Sequence, residues 1–308
     1  MNFKALNISG AMADDLRTVR INPAAAVRAP SRTVFAQRAA RLRQLAPGHV
    51  LAGFLDFAAA VADQQQVMLD SDATGCALGA LRANFHTLIA GLESRLSPAL
   101  LAAVDAIEAR DEVRFGLLGL SLGAGALPPT DAGFAALPLL GAALQVGATR
   151  AALANAAGAV LANHEVLACP VCGGAPVASV VGRDPAAPTV RHAVCGVCAS
   201  EWPVLAGKCL RCGARDGISH LAANGGSDLP RPAVEVECCD ECHAASKIIT
   251  LDRDPDAEPV ADDLATLPLD WLAAQSGWLR YGFNLVFLAP EDEVIDGDDD
   301  FAEEDGRA

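Results

Sequence analysis

Four Cys-x-x-Cys pairs follow one another in this chain, Cys169/Cys172, Cys195/Cys198, Cys209/Cys212 and Cys239/Cys242, and they constrain its fold more than any other feature. Two residues between cysteines let a tight turn aim both sulfurs at one ion, with backbone N–H groups just past the second cysteine free to hydrogen-bond to the thiolates. Gly173 and Gly213 stand where such a turn asks for a residue that tolerates positive φ, and Pro170 stiffens the first knuckle. Eight thiolates suffice for two tetrahedral all-sulfur sites. A single pair would mean little; four in sequence mean metal.

The gaps suggest how the pairs combine. There are 22 residues between Cys172 and Cys195, 10 between Cys198 and Cys209, and 26 between Cys212 and Cys239. Each long gap has room for a β-hairpin that closes a ribbon, and the short gap reads as a linker. First with second and third with fourth is therefore the expected partition. A cross-braced arrangement, first with third and second with fourth, is the alternative.

Four chemistries can use such cysteines: structural metal ribbons, a rubredoxin-like iron site, dithiol redox work and c-type haem. Tetrahedral sulfur suits zinc and iron alike, and only iron gives one-electron chemistry. Dithiol work of the thioredoxin kind wants a βαβ setting, which this region lacks. Cys239-Asp-Glu-Cys242-His243 matches the haem attachment motif literally, but as the fourth member of a series of knuckles it reads as metal. Cys238 reads as a spare thiol, Cys76 as a small buried hydrophobe, and His192 and His220 as groups near the ribbons without a coordinating role.

The chain of 308 residues has room for two or three domains, and its apolar excess is largely alanine, which favours helices. The least polar long segment, Ala132 to Thr149, contains Pro138 and Gln145 and reads as a buried helix pair rather than a membrane span. The N-terminus carries Asp14 and Asp15 and no apolar run, so no signal peptide is expected, and the cysteines would face a reducing cytosol. Lys and Arg against Asp and Glu number 13 to 13 over residues 1–168, 7 to 8 over 169–250 and 3 to 17 over 251–308. The ribbons lack the positive footprint that nucleic acid requires.

Residues 1–30 read as a loosely ordered arm. Ser31 is the expected cap of a helix from Arg32, with Phe35, Ala39, Leu42 and Ala46 on its apolar stripe and Arg38, Arg41 and Arg43 largely outside it. A second helix carries Phe54, Phe57, Val61 and Met68, and Ser97-Pro98 opens another. Alanine-rich helices should run to about His164, making 31–165 an all-α domain. Over 166–250 the texture turns β-prone at Val177–Val181, Val190–Val194, Val234–Val236 and Ile248–Leu251. A helix is expected from about Val260 to Gln275 within 251–290, with Asp262 and Asp263 as helix-start charges rather than a catalytic pair. Residues 291–308, with ten acidic residues, read as a disordered tail, and Asp296 to Arg307 lacks the glycine and glutamate of a calcium loop. The expected architecture is an all-α helical bundle, then two tandem rubredoxin-like or zinc-ribbon modules, then a C-terminal helix. No Ser–His–Asp set, P-loop or dinucleotide fingerprint is present.

The ordered set CPVCG at 169–173, CGVCASEW at 195–202, CLRCG at 209–213 and CDEC at 239–242, followed by DRDPDAEPVADDLATLPLD at 252–270, resembles the FdhE formate dehydrogenase accessory proteins. RAARLRQLA at 38–46 and LAGFLDFAAAVADQQQ at 51–66 are similar to that family's helical N-terminus. The resemblance covers roughly residues 30–290; the arm, the tail, Cys238 and His243, where glycine is expected, depart from it. It implies a cytoplasmic maturation factor, not an enzyme, that contacts the molybdenum-containing catalytic subunit of respiratory formate dehydrogenase before export. It also implies two metal ions per chain, iron favoured over zinc, on Cys169, Cys172, Cys195, Cys198, Cys209, Cys212, Cys239 and Cys242. No membrane insertion is expected, and a homodimer is allowed. The competing functions are a structural zinc-ribbon adaptor and a thiol oxidoreductase acting on the partner.

Overall fold

The computed structural model describes residues 27–71, 78–155, 167–183, 189–222 and 231–288; Cys76, His164, most of the arm and the acidic tail lie outside them. Helices fill the N-terminal part: α1 Val34–Leu45, α2 Ala52–Asp70, α3 Leu81–Leu92, α4 Pro98–Glu108, α5 Glu112–Gly123 and α6 Leu137–Asn155. The stripe Phe35, Ala39, Leu42 and Ala46 is buried, as its spacing requires. Ser97 caps α4 by accepting the Leu100 N–H at 3.2 Å. Ser31 does not cap α1. Its hydroxyl accepts the Thr33 N–H, only two residues on, at 3.1 Å, which makes a turn, and the helix starts at Val34.

Three further expectations are corrected. Ala132–Thr149 is not a helix pair: a short 3-10 turn, Phe134–Ala136, runs directly into α6. Pro138 falls in the first turn of α6, where its missing N–H costs nothing, so it does not break the helix. Phe134–Asn155 is the one stretch, among the described residues, long and apolar enough to cross a membrane, and most of it is buried inside the fold. The expected C-terminal helix is two, α7 Pro259–Ala265 and α8 Leu267–Gln275. Pro268 has no N–H for the Leu264 carbonyl, so a continuous helix cannot pass it. Finally, Arg38 and Arg41 are not on a solvated face; they are 2% and 7% exposed, because the C-terminal segment packs on that side of α1.

The strands are β1 Pro176–Val181, β2 Arg191–Cys195, β3 Glu201–Val204, β4 Ile218–Leu221, β5 Val234–Cys239, β6 Ala244–Thr250 and β7 Leu279–Arg280. They form one sheet in the order β3-β2-β1-β6-β5-β4, with β7 also on β6. Each ribbon is an antiparallel set, β1-β2-β3 or β4-β5-β6. A parallel pairing of β1 with β6, from Ser179 opposite Ile248 to Val181 opposite Thr250, fuses the two. Neither ribbon therefore leaves its inner edge unpaired.

Two cores hold helices and sheet together. In the first, Phe85, Leu88, Phe115 and Leu140 of the bundle pack with Trp202, Val197 and the sulfurs of Cys169, Cys195 and Cys198. In the second, Leu42 and Leu55 pack with Val180, Val236 and Ile249 of the sheet and Val260 and Leu264 of α7. Ion pairs reinforce the second seam. Arg38 meets Glu258 at 3.3 Å, and Arg41 meets Asp262 at 2.7 Å and also Asp254.

Candidate metal centres

All four knuckles make the same turn. The residue after the second cysteine has a left-handed backbone in each: Gly173 at φ 77°, Ala199 at 56°, Gly213 at 78° and His243 at 53°. The turn closes when that residue's N–H reaches back to the first cysteine's carbonyl, at 2.8 Å for Gly173, 3.2 Å for Ala199 and 3.0 Å for Gly213. His243 thus stands at a position whose conformation favours the glycine expected there. N–H groups inside the knuckles aim at the first sulfur of the pair: Val171 on Cys169 at 3.4 Å, Val197 on Cys195 at 3.4 Å and Arg211 on Cys209 at 3.3 Å. The N–H groups of Ala214 and Ala244, past the second cysteine, serve Cys212 and Cys242.

The turns bring the eight sulfurs into two groups, Cys169, Cys172, Cys195 and Cys198 in one, and Cys209, Cys212, Cys239 and Cys242 in the other, each set lying within 4.8 Å. This is the partition that the gap lengths favour, not the cross-braced one. Sulfur separations are 3.6 Å for Cys169–Cys198, 3.4 Å for Cys172–Cys195, and 3.7 Å for both Cys209–Cys242 and Cys212–Cys239. A disulfide needs about 2.05 Å. Four sulfurs about 2.3 Å from one tetrahedral ion are about 3.8 Å apart, so the donor set fits a metal ion.

The convergence also sets the protonation. Hydrogen bonds from the thiols of Cys169, then Cys172 and Cys195, hold Cys198 far below the ordinary thiol range, and Cys169, then Cys195, lower Cys172. The Ala214 N–H lowers Cys212. Thiolates in a packed cluster repel one another, and a divalent ion relieves that repulsion.

The two groups differ in setting. Cys169, Cys195 and Cys198 lie in the core shared with the helices, and Cys172 is exposed. In the second group Cys209 and Cys239 are buried, Cys242 is half-buried and Cys212 is exposed. Each centre therefore has one exposed cysteine.

Gln145 docks the first centre onto the bundle. Its Nε2 donates to the Gly196 carbonyl at 2.8 Å, and its Oε1 accepts from Gln65 at 2.9 Å and Arg38 at 3.4 Å. Gly196 must be glycine, because a Cβ there would collide with the Phe283 carbonyl oxygen. Sequence reasoning used Gln145 only as a mark against a membrane span; a lone amide in the uncharged stretch 132–149 was the available signal.

Other marked residues stay outside both groups. Cys238 is buried in the second core, with its thiol pushed up to about 12 by burial and then by Glu237. His192 is buried on β2 and His220 half-buried on β4. Asp262 and Asp263 are ion-pair partners rather than helix-start charges alone. Asp263 meets Lys247 at 2.9 Å and Arg280 at 2.6 Å, and Lys247 also meets Asp270 at 2.8 Å. Burial works against the Asp263 charge, but Arg280 and Lys247 hold its carboxyl down at about 2.

Comparison with known proteins follows the same division. Family models described as FdhE N-terminal, FdhE central domain and FdhE C-terminal domain match residues 23–78, 168–205 and 207–287. The central model spans the first cysteine group and the C-terminal model the second. An FdhE homolog of Pseudomonas aeruginosa is 30% identical over 289 residues, covering 86% of this chain and 93% of its own. One from Stutzerimonas stutzeri is 32% identical, covering 86% and 92%. The crystal structure of the FdhE protein from Pseudomonas aeruginosa superposes with a TM-score of 0.75 at 30% identity, over 86% of this chain and 99% of that one.

Proposed function

The chain belongs to the FdhE family, and from that premise we propose that it is a cytoplasmic accessory protein for respiratory formate dehydrogenase and not an enzyme. It binds the catalytic subunit before export, with residues 31–165 and 166–250 as the helical and metal-ribbon parts, 1–30 and 291–308 as arm and tail, and 251–290 as the C-terminal helical piece. The eight CxxC cysteines hold two metal ions, iron in preference to zinc. Iron in such a site supplies one-electron exchange as well as folding energy.

The observation that carries this reading is the pairing of two four-sulfur groups on one sheet, each with an exposed cysteine, Cys172 or Cys212. A purely folding ion needs no exposed ligand, whereas an exposed sulfur gives a partner's surface a path to the metal. The helices fix where that path opens, because Gln145 and the shared core hold the first centre rigidly against them.

The test replaces Cys209 and Cys212 by serine, since this pair lies outside the core shared with the helices. The expected result is loss of formate dehydrogenase activity in cells, with the helical content and the first metal retained. Full activity in a strain whose protein lacks the second metal would defeat the reading. A second reading, zinc ribbons that act only as an adaptor, is favoured by the burial of Cys169, Cys195 and Cys198; it predicts that zinc-loaded protein supports activity as well as iron-loaded protein.

A further inference from the structure

Arg191 of β2 and Glu237 of β5 form an ion pair that reaches from one ribbon to the other, and their side chains are 1% and 4% exposed. Three strand spacings, roughly 14 Å, separate β2 from β5 in the sheet, so two long side chains are needed to meet over β1 and β6. The guanidinium grips both carboxylate oxygens, Nη1 on Oε2 at 3.0 Å and Nη2 on Oε1 at 3.1 Å. Its Nε donates to the Ser179 hydroxyl of β1 at 2.8 Å, and that hydroxyl donates in turn to the Lys247 carbonyl of β6 at 3.4 Å. Nη1 also donates to the Lys208 carbonyl at 3.1 Å. One side chain thus ties four strands to the entry of the third knuckle.

Each end of this network lies next to a sulfur of one of the two groups. β2 runs from Arg191 directly into Cys195 of the first group, and all five of its residues are buried. Glu237 stands two residues before Cys239. The Lys208 carbonyl belongs to the peptide unit whose N–H, that of Cys209, donates to the Ala214 carbonyl at 2.8 Å and brackets the third knuckle. Cys209 and Cys239 come from different knuckles of the second group. The guanidinium therefore sets those two knuckles against each other from a strand that ends in the first group. The parallel β1–β6 pairing does not do this. It runs to Thr250, eight residues past Cys242, at the strand ends remote from the sulfurs.

A buried, bidentate pair holds only while its geometry is close to ideal, because the lost hydration of both charges is otherwise uncompensated. When the thiolates of the first group are not neutralised they repel one another, and the end of β2 loses its fixed point. We infer that Arg191 couples the two metal centres: with the first filled, β2 is fixed, and Arg191 holds the third and fourth knuckles in register for the second ion. By linkage the coupling acts equally in the other direction. This rests on the reading of both cysteine groups as metal ligands and adds a dependence of each centre on the other. A coupling of about tenfold is small against the affinity of a four-thiolate site, so a chain with either centre disabled still holds the other ion when metal is in excess.

The probe is cadmium ion, followed by its own NMR resonances, which separate the two centres, and titrated into the full-length chain against a competing chelator. Cys169→Ser with Cys172→Ser disables the first centre and should weaken cadmium binding at the second by about tenfold. Arg191→Met with Glu237→Met puts an apolar pair in place of the ion pair and leaves no charge buried alone. In that background the second centre should bind equally well with and without the two cysteine substitutions. Arg191→Lys keeps the charge without the two-pronged grip and should likewise shrink the coupling, which decides the matter if the double variant fails to fold. A merely structural role would lower stability and leave the dependence of one centre on the other at full size. Second-centre affinity that ignores the state of the first in the otherwise unaltered chain, or full coupling in the folded Arg191 variants, overturns the inference and leaves the proposed function standing. A wild-type chain that binds no cadmium overturns both.

Discussion

Gln145 donates a 2.8 Å hydrogen bond to the carbonyl of Gly196, and this contact joins α6 to a metal knuckle. Gly196 lies between Cys195 and Cys198, so the amide fixes a turn whose two sulfurs belong to the first centre. Gln145 is 2% exposed and also serves Gln65 and Arg38. Replacing it by leucine keeps the volume and leaves the Gly196 carbonyl without its partner, while Gln65 keeps the Ala142 carbonyl and Arg38 keeps Glu258. The expected loss is about 1–3 kcal/mol in urea unfolding, with metal loss from the first centre quicker than in the unaltered protein and that from the second unchanged.

The knuckles contain a built-in inequality. Gly173 and Gly213 take the left-handed turn freely, whereas Ala199 and His243 take it against a steric cost of about 1–2 kcal/mol. Glycine at either position relieves that cost but gives back about 0.4–1 kcal/mol through a freer unfolded chain. Ala199→Gly and His243→Gly should each stabilise the metal-loaded protein by a net of roughly 0.5–1 kcal/mol. Gly173→Ala should destabilise it. Thermal unfolding at fixed metal concentration reads all three.

Metal should leave the two centres in order. The first is sealed by the helical core on three of its four sulfurs, while the second has Cys212 exposed and Cys242 half-buried. A chromophoric chelator should therefore withdraw metal in two phases, the fast one abolished by Cys209→Ser and the slow one by Cys169→Ser. Loss of the slow phase in Cys209→Ser would reverse the assignment.

Asp263 neutralises two buried or half-buried cations, Lys247 and Arg280. Asp263→Asn leaves them with Asp270 alone and should cost about 3–5 kcal/mol at neutral pH. Because its folded value is about 2, below the ordinary 3.8, the carboxylate's stabilisation is complete above the ordinary value and is lost only as pH falls toward the folded one. Metal-bound thiolates take up protons at higher pH than that. On acidification, metal release should thus precede the titration of Asp263, and helical signal and bound metal should fall together above about pH 4.

What the sequence disclosed and what it hid divide along the range of the interactions. The knuckles were legible because a CxxC turn is decided within a few residues, and the gap lengths were enough to favour the partition seen at Cys169–Cys198 and Cys209–Cys242. The parallel union of β1 and β6 was not legible, since Ser179 and Ile248 meet across most of the cysteine region and nothing local marks the pairing. Arg38 and Arg41 read as a polar face because the partners that bury them, Glu258 and Asp262, are supplied by the far end of the chain. The same distance hid the second role of Asp262, whereas the partners of Asp263, Lys247 and Arg280, lie on the neighbouring strands β6 and β7. The start of α1 was missed for a local reason, the reach of the Ser31 hydroxyl to Thr33 rather than into the helix.

The central claim is that the eight cysteines form two metal centres on which the accessory role depends. Metal content and visible absorption of the protein, purified without oxygen from its own host, test it most directly. The account predicts two metal ions per chain, one for each four-sulfur group, with sulfur-to-iron charge-transfer bands after oxidation. Colourless protein with two zinc ions would replace the redox role by the adaptor reading, and a chain that folds with no metal at all would contradict the account.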